Sequence, residues 1–149
     1  MSVDASTLVE EDRLWRELRA TIDGFDEDQA LQPGYYKEGW SAKDAFAHIG
    51  TWMAEAGAAL EQIRAGTYVE LRSGELDELN ARFLEAMRDV SLADVKAQAT
   101  AARARMLHSW TELPEPSDIA ARWIRKSGPE HYQEHLPRLQ EWLDEVRGA

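Results

Sequence analysis

The sequence of 149 residues contains no cysteine. This absence excludes a disulfide framework, a thiolate nucleophile and any metal site built on cysteine sulfur. A metal ion would therefore have to be held by histidine and carboxylate side chains. The sequence also lacks an uninterrupted apolar run of about 18 residues, so no segment is predicted to cross a membrane.

Positive charge is scarce in this protein. Lys and Arg number 17 against 28 Asp and Glu, which gives a formal net charge of -11. Nucleic-acid phosphates and anionic lipid surfaces repel such a chain, so we expect neither nucleic acid nor membrane as a partner. The first residues, MSVDASTLVEED, are acidic where an export signal would be basic. We therefore expect the protein in the cytoplasm.

Glycine and proline are few, 9 and 5 in number, and most gather in three regions, 23–39, 66–74 and 114–129. The stretches between these regions are rich in strong helix formers, and no segment alternates cleanly between apolar and polar residues. A chain of this length buries one sufficient core, so residues 1–149 are predicted to form a single domain. The expected fold is all-α: an antiparallel four-helix bundle with one or two short extra helices.

Apolar residues at helical spacing and capping signals at the ends locate the helices. Ser41 with Asp44, and Ser91 with Asp94, have the spacing of helix N-terminal caps. The run Ser127-Gly128-Pro129-Glu130 resembles a capping box for the last helix, inside which Pro137 should bend the axis. The predicted main helices span 6–23, 41–65, 91–110 and 127–146, and the shorter ones 75–88 and 117–126.

Two of the four histidines, His131 and His135, stand four apart in the run HYQEH and therefore share one face of a helix. His48 shares its helix face with bulky apolar residues and should point into the bundle. If the two helices are neighbours, three imidazoles converge, which is typical of a catalytic metal site with one open position. The alternative is a core His48 bonded to a carboxylate, with the pair on a half-exposed face. His108 lies off the apolar stripe and should be solvated.

Two stretches, GWSAKDAFAHIGTW at 39–52 and HYQEHLPRLQEWL at 131–143, resemble the signature segments of the DinB/YfiT-like superfamily, and most closely its ClbS/DfsB-type branch. The resemblance implies a four-helix bundle with a crossover connection. It also implies a divalent metal ion, zinc or nickel, on one histidine of the second helix and two of the last, which correspond to His48, His131 and His135. Some members of this superfamily use a low-molecular-weight thiol, and others act in self-resistance to reactive natural products.

Three carboxylates near these histidines are candidates for a functional role. Asp44, one turn before His48, either orients that ring or only caps its helix, and the Ser41 spacing favours the cap. Glu55 and Glu134 are candidate acid–base groups, although helical spacing places Glu134 toward solvent.

Polar and aromatic residues near the histidine stripes suggest a substrate pocket. Asn80 is a candidate for orienting a substrate polar group, with a capping or core hydrogen-bond role as its alternative. Trp52 and Trp142 lie on the stripes that carry the histidines and either wall a pocket or belong to the core. The residues of the connection before the second helix are expected at the pocket rim: Tyr35, Tyr36 and Trp40.

Three functions are compatible with these observations. The first is a metal-dependent enzyme that activates water or a thiol for hydrolysis or transfer on a small molecule. The second is a non-catalytic protein that binds or sequesters a small molecule, and the third is a structural bundle, with a homodimer as one form. The sequence identifies neither the substrate nor the metal.

Overall fold

The computed structural model describes residues 3–36 and 39–148. This part of the chain is helical and contains no strand, which confirms the expected all-α class. It forms seven helices: α1 (Ala5–Asp23), α2 (Glu27–Leu31), α3 (Ala42–Ala65), α4 (Glu75–Met87), α5 (Leu92–Thr111), α6 (Asp118–Ser127) and α7 (Pro129–Gly148). None of the described helices is both long and apolar enough to span a bilayer.

Four long helices, α1, α3, α5 and α7, share one apolar core. Helix α3 packs mainly on α5, and α1 packs on α7, while α6 contacts both α3 and α7. Each connection between long helices carries one short helix, so three are present where we expected one or two. Side chains that are fully buried at the centre include Leu18, Ile22, Phe46, Met53, Met106 and Leu139.

The helix starts follow local capping chemistry. The hydroxyls of Ser41, Ser91 and Ser117 each accept a hydrogen bond from the backbone amide three residues later. These caps confirm the predicted starts of α3, α5 and α6. Helix α2, which the sequence analysis missed, begins with a capping box between Asp26 and Gln29.

The predicted capping box of the last helix is wrong. Ser127 is the final residue of α6, and α7 begins two residues later at Pro129. The Glu130 carboxylate instead accepts a hydrogen bond from Arg125 Nη1 at 3.1 Å. Gly128 permits this tight junction, because a Cβ there would lie 2.7 Å from the carbonyl oxygen of Ile124. Helix α7 continues through the exposed Pro137, and a bend there stays a prediction.

A buried polar group joins the four long helices. Arg103 on α5 donates two hydrogen bonds of 2.7 Å to the carboxylate of Glu11 on α1, which is 1% exposed. Tyr132 on α7 donates to the same carboxylate at 2.9 Å and also lies 3.1 Å from Met53 Sδ on α3. Because Tyr132 follows His131 directly, this group also fixes the rotation of α7 that aims the histidines inward.

Candidate metal centre

The structure brings together the three histidines named from the sequence. His48 extends from α3, and His131 and His135 extend from the first turns of α7. The Nε2 atoms of His48 and His131 are 3.1 Å apart, and one ligand nitrogen from each of the three rings lies within 4.8 Å of the others. His131 and His135 are 8% and 3% exposed, whereas His48 is half-buried.

All three imidazoles are neutral at pH 7. Burial, helped by the neighbouring His135, lowers the pKa of His48 to about 4. Burial and the two neighbouring rings lower the pKa of His131 to about 2, and burial lowers the pKa of His135 to about 4. Three closely spaced nitrogens that do not protonate can offer lone pairs to a cation.

This donor set fits a divalent transition metal. Imidazole nitrogens that share one tetrahedral zinc ion are roughly 3.3 Å apart, given zinc–nitrogen bonds of about 2.0–2.1 Å. The 3.1 Å separation of the His48 and His131 Nε2 atoms is close to that value. Two neutral nitrogens at this distance also need a hydrogen or a cation between them, since their lone pairs repel. Neutral imidazole is a ligand for both zinc and nickel, so the group does not identify the metal.

Aromatic residues of the loop between α2 and α3 surround the histidines. The hydroxyl oxygens of Tyr35 and Tyr36 each lie 3.1 Å from His135 Nδ1. Trp40 contacts the His48 ring edge-on, with 5.3 Å between ring centroids. Tyr35 is only 1% exposed, so the expectation that it lies at the pocket rim is wrong. The loop folds inward because the amides of Gly34 and Tyr35 both donate to the Trp40 carbonyl.

Asp44 has the capping role that its spacing from Ser41 favoured, whereas acid–base roles of Glu55 and Glu134 stay predictions. Asp44 accepts a hydrogen bond from the Ser41 amide at 2.9 Å and therefore caps α3. His48 makes its hydrogen bond with His131, so the structure does not support the alternative in which a carboxylate holds it. A cavity adjoins the histidines. Glu55 is half-buried outside this cavity, and Glu134 is exposed at its edge. The side chain of His108 is 72% exposed, as predicted.

A cavity of about 610 Å³ adjoins His48 and His131. Its wall carries Trp52 and Trp123, whose rings stack with centroids 6.3 Å apart. Both indole N–H groups are satisfied, since Trp52 donates to Asn80 Oδ1 at 2.7 Å and Trp123 donates to the Tyr68 hydroxyl at 2.9 Å. The wall therefore presents apolar ring surface to the cavity.

The cavity contains two of the three predicted substrate contacts. Trp52 and Asn80 line it, and Asn80 there holds the indole of Trp52, which is the hydrogen-bond alternative considered from the sequence. Trp142 lies outside the lining and belongs to the buried core, which is the alternative considered from the sequence. It packs against Gly34 and beneath the Arg138 guanidinium, whose carbon is 5.3 Å from the ring centroid. Seven residues beyond His135, it is roughly 10 Å farther along the helix axis.

Sequence reasoning missed much of the cavity wall. Trp123 and Lys126 come from α6, and Tyr68, Glu70 and Leu71 come from the irregular segment before α4. The apolar stripe of α6 did identify Trp123 as a face residue. No periodicity exists in an irregular segment, so nothing in the sequence placed 68–71 beside the histidines.

No protein-family model matches the sequence. No curated protein matches it significantly. Among solved structures, the crystal structure of an uncharacterised protein from Escherichia coli UTI89 is similar, with a TM-score of 0.80 and 14% sequence identity, covering 94% of this chain and 92% of that chain. Similarity at this identity shows a shared helical fold and carries no information on activity.

Proposed function

We propose that this protein is a metal-dependent enzyme of the DinB-like type, acting on a small molecule by hydrolysis or thiol transfer. The observation that carries the proposal is the convergence of three neutral imidazoles beside a cavity large enough for a substrate. His48, His131 and His135 would hold the ion, zinc or nickel. A divalent ion held there supplies Lewis-acid chemistry to a water, a thiol or a substrate carbonyl.

The chain's own residues would bind and orient the substrate. Trp52 and Trp123 offer an apolar wall for a flat or apolar part of the molecule, and Asn80 fixes the angle of the Trp52 ring. Leu71 and Leu76 extend the apolar lining. A substrate bound against this wall would exclude water, which strengthens electrostatic interactions at the histidine end. A crossover bundle, a cytoplasmic location and a homodimer belong to the same proposal.

A second candidate function is non-catalytic binding of a small molecule, as in a self-resistance protein. The cavity with its two stacked indoles favours this alternative, because it would hold a ligand without any chemistry at the histidines. Incubation of the metal-loaded protein with candidate electrophiles, with and without low-molecular-weight thiols, separates the two. Product release with turnover supports the enzyme, and stoichiometric binding without product supports sequestration.

The metal assignment is tested by replacing each histidine with alanine. We expect His48→Ala, His131→Ala and His135→Ala to lose most of their bound metal, because each removes one of three ligands. His108→Ala is the matched control, since its exposed side chain lies outside the group. Elemental analysis after purification and zinc titration of the stripped protein give the readout. Equal metal content in all four variants would contradict the assignment.

A further inference from the structure

Two tyrosine hydroxyls contact the same ring nitrogen of His135. Tyr35 and Tyr36 place their Oη atoms 3.1 Å from His135 Nδ1, and the two phenol rings contact each other edge-on at 4.3 Å. The hydrogen on this imidazole sits on either Nδ1 or Nε2, and only the nitrogen without it has a lone pair for a cation. The hydrogen-bond partners of Nδ1 therefore decide whether Nε2 can act as a ligand.

A count of hydrogens favours one assignment. The Tyr35 hydroxyl is also the donor in a 3.5 Å contact with the main-chain carbonyl oxygen of His135. A phenol has a single hydrogen, so with that hydrogen on the carbonyl its lone pair faces Nδ1. Nδ1 is then the N–H donor, and Nε2 carries the lone pair.

The acceptor is held in place by α7 itself. Arg138, one turn after His135, donates from Nε to the Tyr35 carbonyl at 2.9 Å and from Nη2 to the Gly34 carbonyl at 3.2 Å. Its guanidinium carbon also lies 5.7 Å from the centroid of the Tyr35 ring. The loop and the helix that carries His135 thus form one unit, and the phenol is positioned without any ion.

His135 differs in this respect from the other two rings. His131 Nδ1 is buried without a hydrogen-bond partner, and the ring of His48 is hydrogen-bonded to His131. Among the residues that the structure describes, 3–36 and 39–148, His135 differs from the other two histidines because its ring nitrogen hydrogen-bonds residues outside the group. Its tautomer is consequently the one that the surrounding protein can set.

We propose that Tyr35 is a positioning residue, which accepts a hydrogen bond from His135 Nδ1–H and so keeps the Nε2 lone pair available to a metal ion. This proposal rests on the proposed function for the use of that lone pair, but the tautomer itself is a property of the metal-free protein. Partners of this kind orient a histidine ligand and strengthen its basicity. The Tyr36 hydroxyl lies at the same distance from this nitrogen, but Tyr35 is the one whose hydrogen is directed to the His135 carbonyl.

The first test reads the tautomer of His135 directly, by long-range proton–nitrogen NMR of the metal-free, full-length protein at pH 7. We expect a protonated Nδ1 and an unprotonated Nε2 in the wild type. Tyr35→Phe should lose this preference and show a mixture of the two tautomers, whereas Tyr36→Phe should keep it. A protonated Nε2 in the wild type would overturn the proposal without reference to any variant.

The second test measures zinc affinity by competition with a chelating dye. Tyr35→Phe should weaken zinc binding by about 10–100-fold, the usual cost of removing a hydrogen-bond partner from a metal-bound histidine. Tyr68→Phe is the matched control, because it removes a hydroxyl that bonds Trp123 and not a histidine. Circular dichroism checks that each variant remains helical. Unchanged zinc affinity and tautomer in a folded Tyr35→Phe would contradict the role of Tyr35.

The two tests distinguish failure of this proposal from failure of the metal site. If the wild type binds no zinc, the proposed function is overturned. The role of Tyr35 is still supported in that case if His135 carries its hydrogen on Nδ1 and Tyr35→Phe changes that preference. If Tyr35→Phe does not fold, the wild-type tautomer decides the proposal.

Discussion

At the scale of single residues, the notable feature is how strongly burial disfavours charge on the three histidines. Their pKa values lie at about 4, 2 and 4, below the ordinary 6.5. Each folded ring therefore stays neutral in a range where the same ring in the unfolded chain protonates. A binding site for a cation benefits, because protons do not compete for the ligand nitrogens above about pH 5.

These shifts predict a pH dependence of stability in the metal-free protein. Between pH 6.5 and pH 4 the unfolded chain binds more protons than the folded chain, so the free energy of unfolding falls as pH falls. At pH 5 the loss is at most about 2 kcal/mol per histidine, from 1.5 pKa units at about 1.4 kcal/mol each. Urea unfolding at pH 7 and pH 5 measures this difference.

His48→Gln isolates one of these contributions. Its amide side chain does not titrate, so the variant should lose less stability between pH 7 and pH 5 than the wild type does. His108→Gln is the matched control, because that side chain is 72% exposed and lies outside the histidine group. A pH dependence unchanged by His48→Gln would contradict the lowered pKa of His48.

At the scale of the helices, local signals and tertiary contacts have separate roles. Serine and aspartate caps determine where α1, α3, α5 and α6 begin. Contacts between helices determine how they are rotated. At Gly50 of α3, a Cβ would lie 3.0 Å from Ala99 Cβ on α5, so these helices approach too closely there for a larger side chain.

The buried group formed by Glu11, Arg103 and Tyr132 should be the most sensitive polar contact between helices. Glu11→Ala leaves the guanidinium of Arg103, 19% exposed, without its main partner, and leaves Tyr132 with only the weakly accepting Met53 sulfur. We expect the free energy of unfolding to fall by about 3–5 kcal/mol, the usual cost of removing one partner of a buried ion pair. Urea denaturation at pH 7 measures the change.

Asp12→Ala is the control for this variant. Asp12 contacts the same Arg103 at 3.1 Å, but its side chain is 46% exposed. Because water screens such a pair, its removal should cost no more than about 1 kcal/mol. Equal effects of Glu11→Ala and Asp12→Ala would show that burial of the Glu11 carboxylate does not determine the energetics here.

At the scale of the whole molecule, the apolar core does not depend on the histidine group. The buried side chains on all four long helices form one cluster that extends well beyond the three histidines. A metal ion would then add stability by binding the folded state without being needed to form it. This organisation differs from that of a small domain whose fold depends on its metal.

Removal of metal should consequently leave the helices intact. With excess chelator, the far-ultraviolet circular dichroism at 20 °C should be unchanged, while ligand binding or activity is lost. The melting temperature should fall, since saturation at 100 times Kd contributes about 2.7 kcal/mol. Collapse of the helical spectrum on chelation would show that the metal is structural and would contradict the proposed catalytic role.

The sequence by itself determined the helical class, most helix boundaries and the inward direction of the three histidines. These properties are local: a cap acts over three residues, and the 3.6-residue period places His131 and His135 on one face wherever the helix lies. The same local rule predicted the exposed position of His108 and the cap role favoured for Asp44. It failed at Ser127, where two helices meet and one cap signal competes with the end of the preceding helix.

Only the tertiary structure decided what surrounds the histidines. Tyr35 reaches His135 across 100 positions of sequence, and Trp123 meets Tyr68 across 55. Tyr35 and Tyr68 lie in irregular segments, which have no period from which the orientation of a side chain could be predicted. Trp142 shares the helical face of His135 and still misses the cavity, because a face specifies a direction and not a position along the helix. Packing between helices and loops sets that position, and with it the pocket.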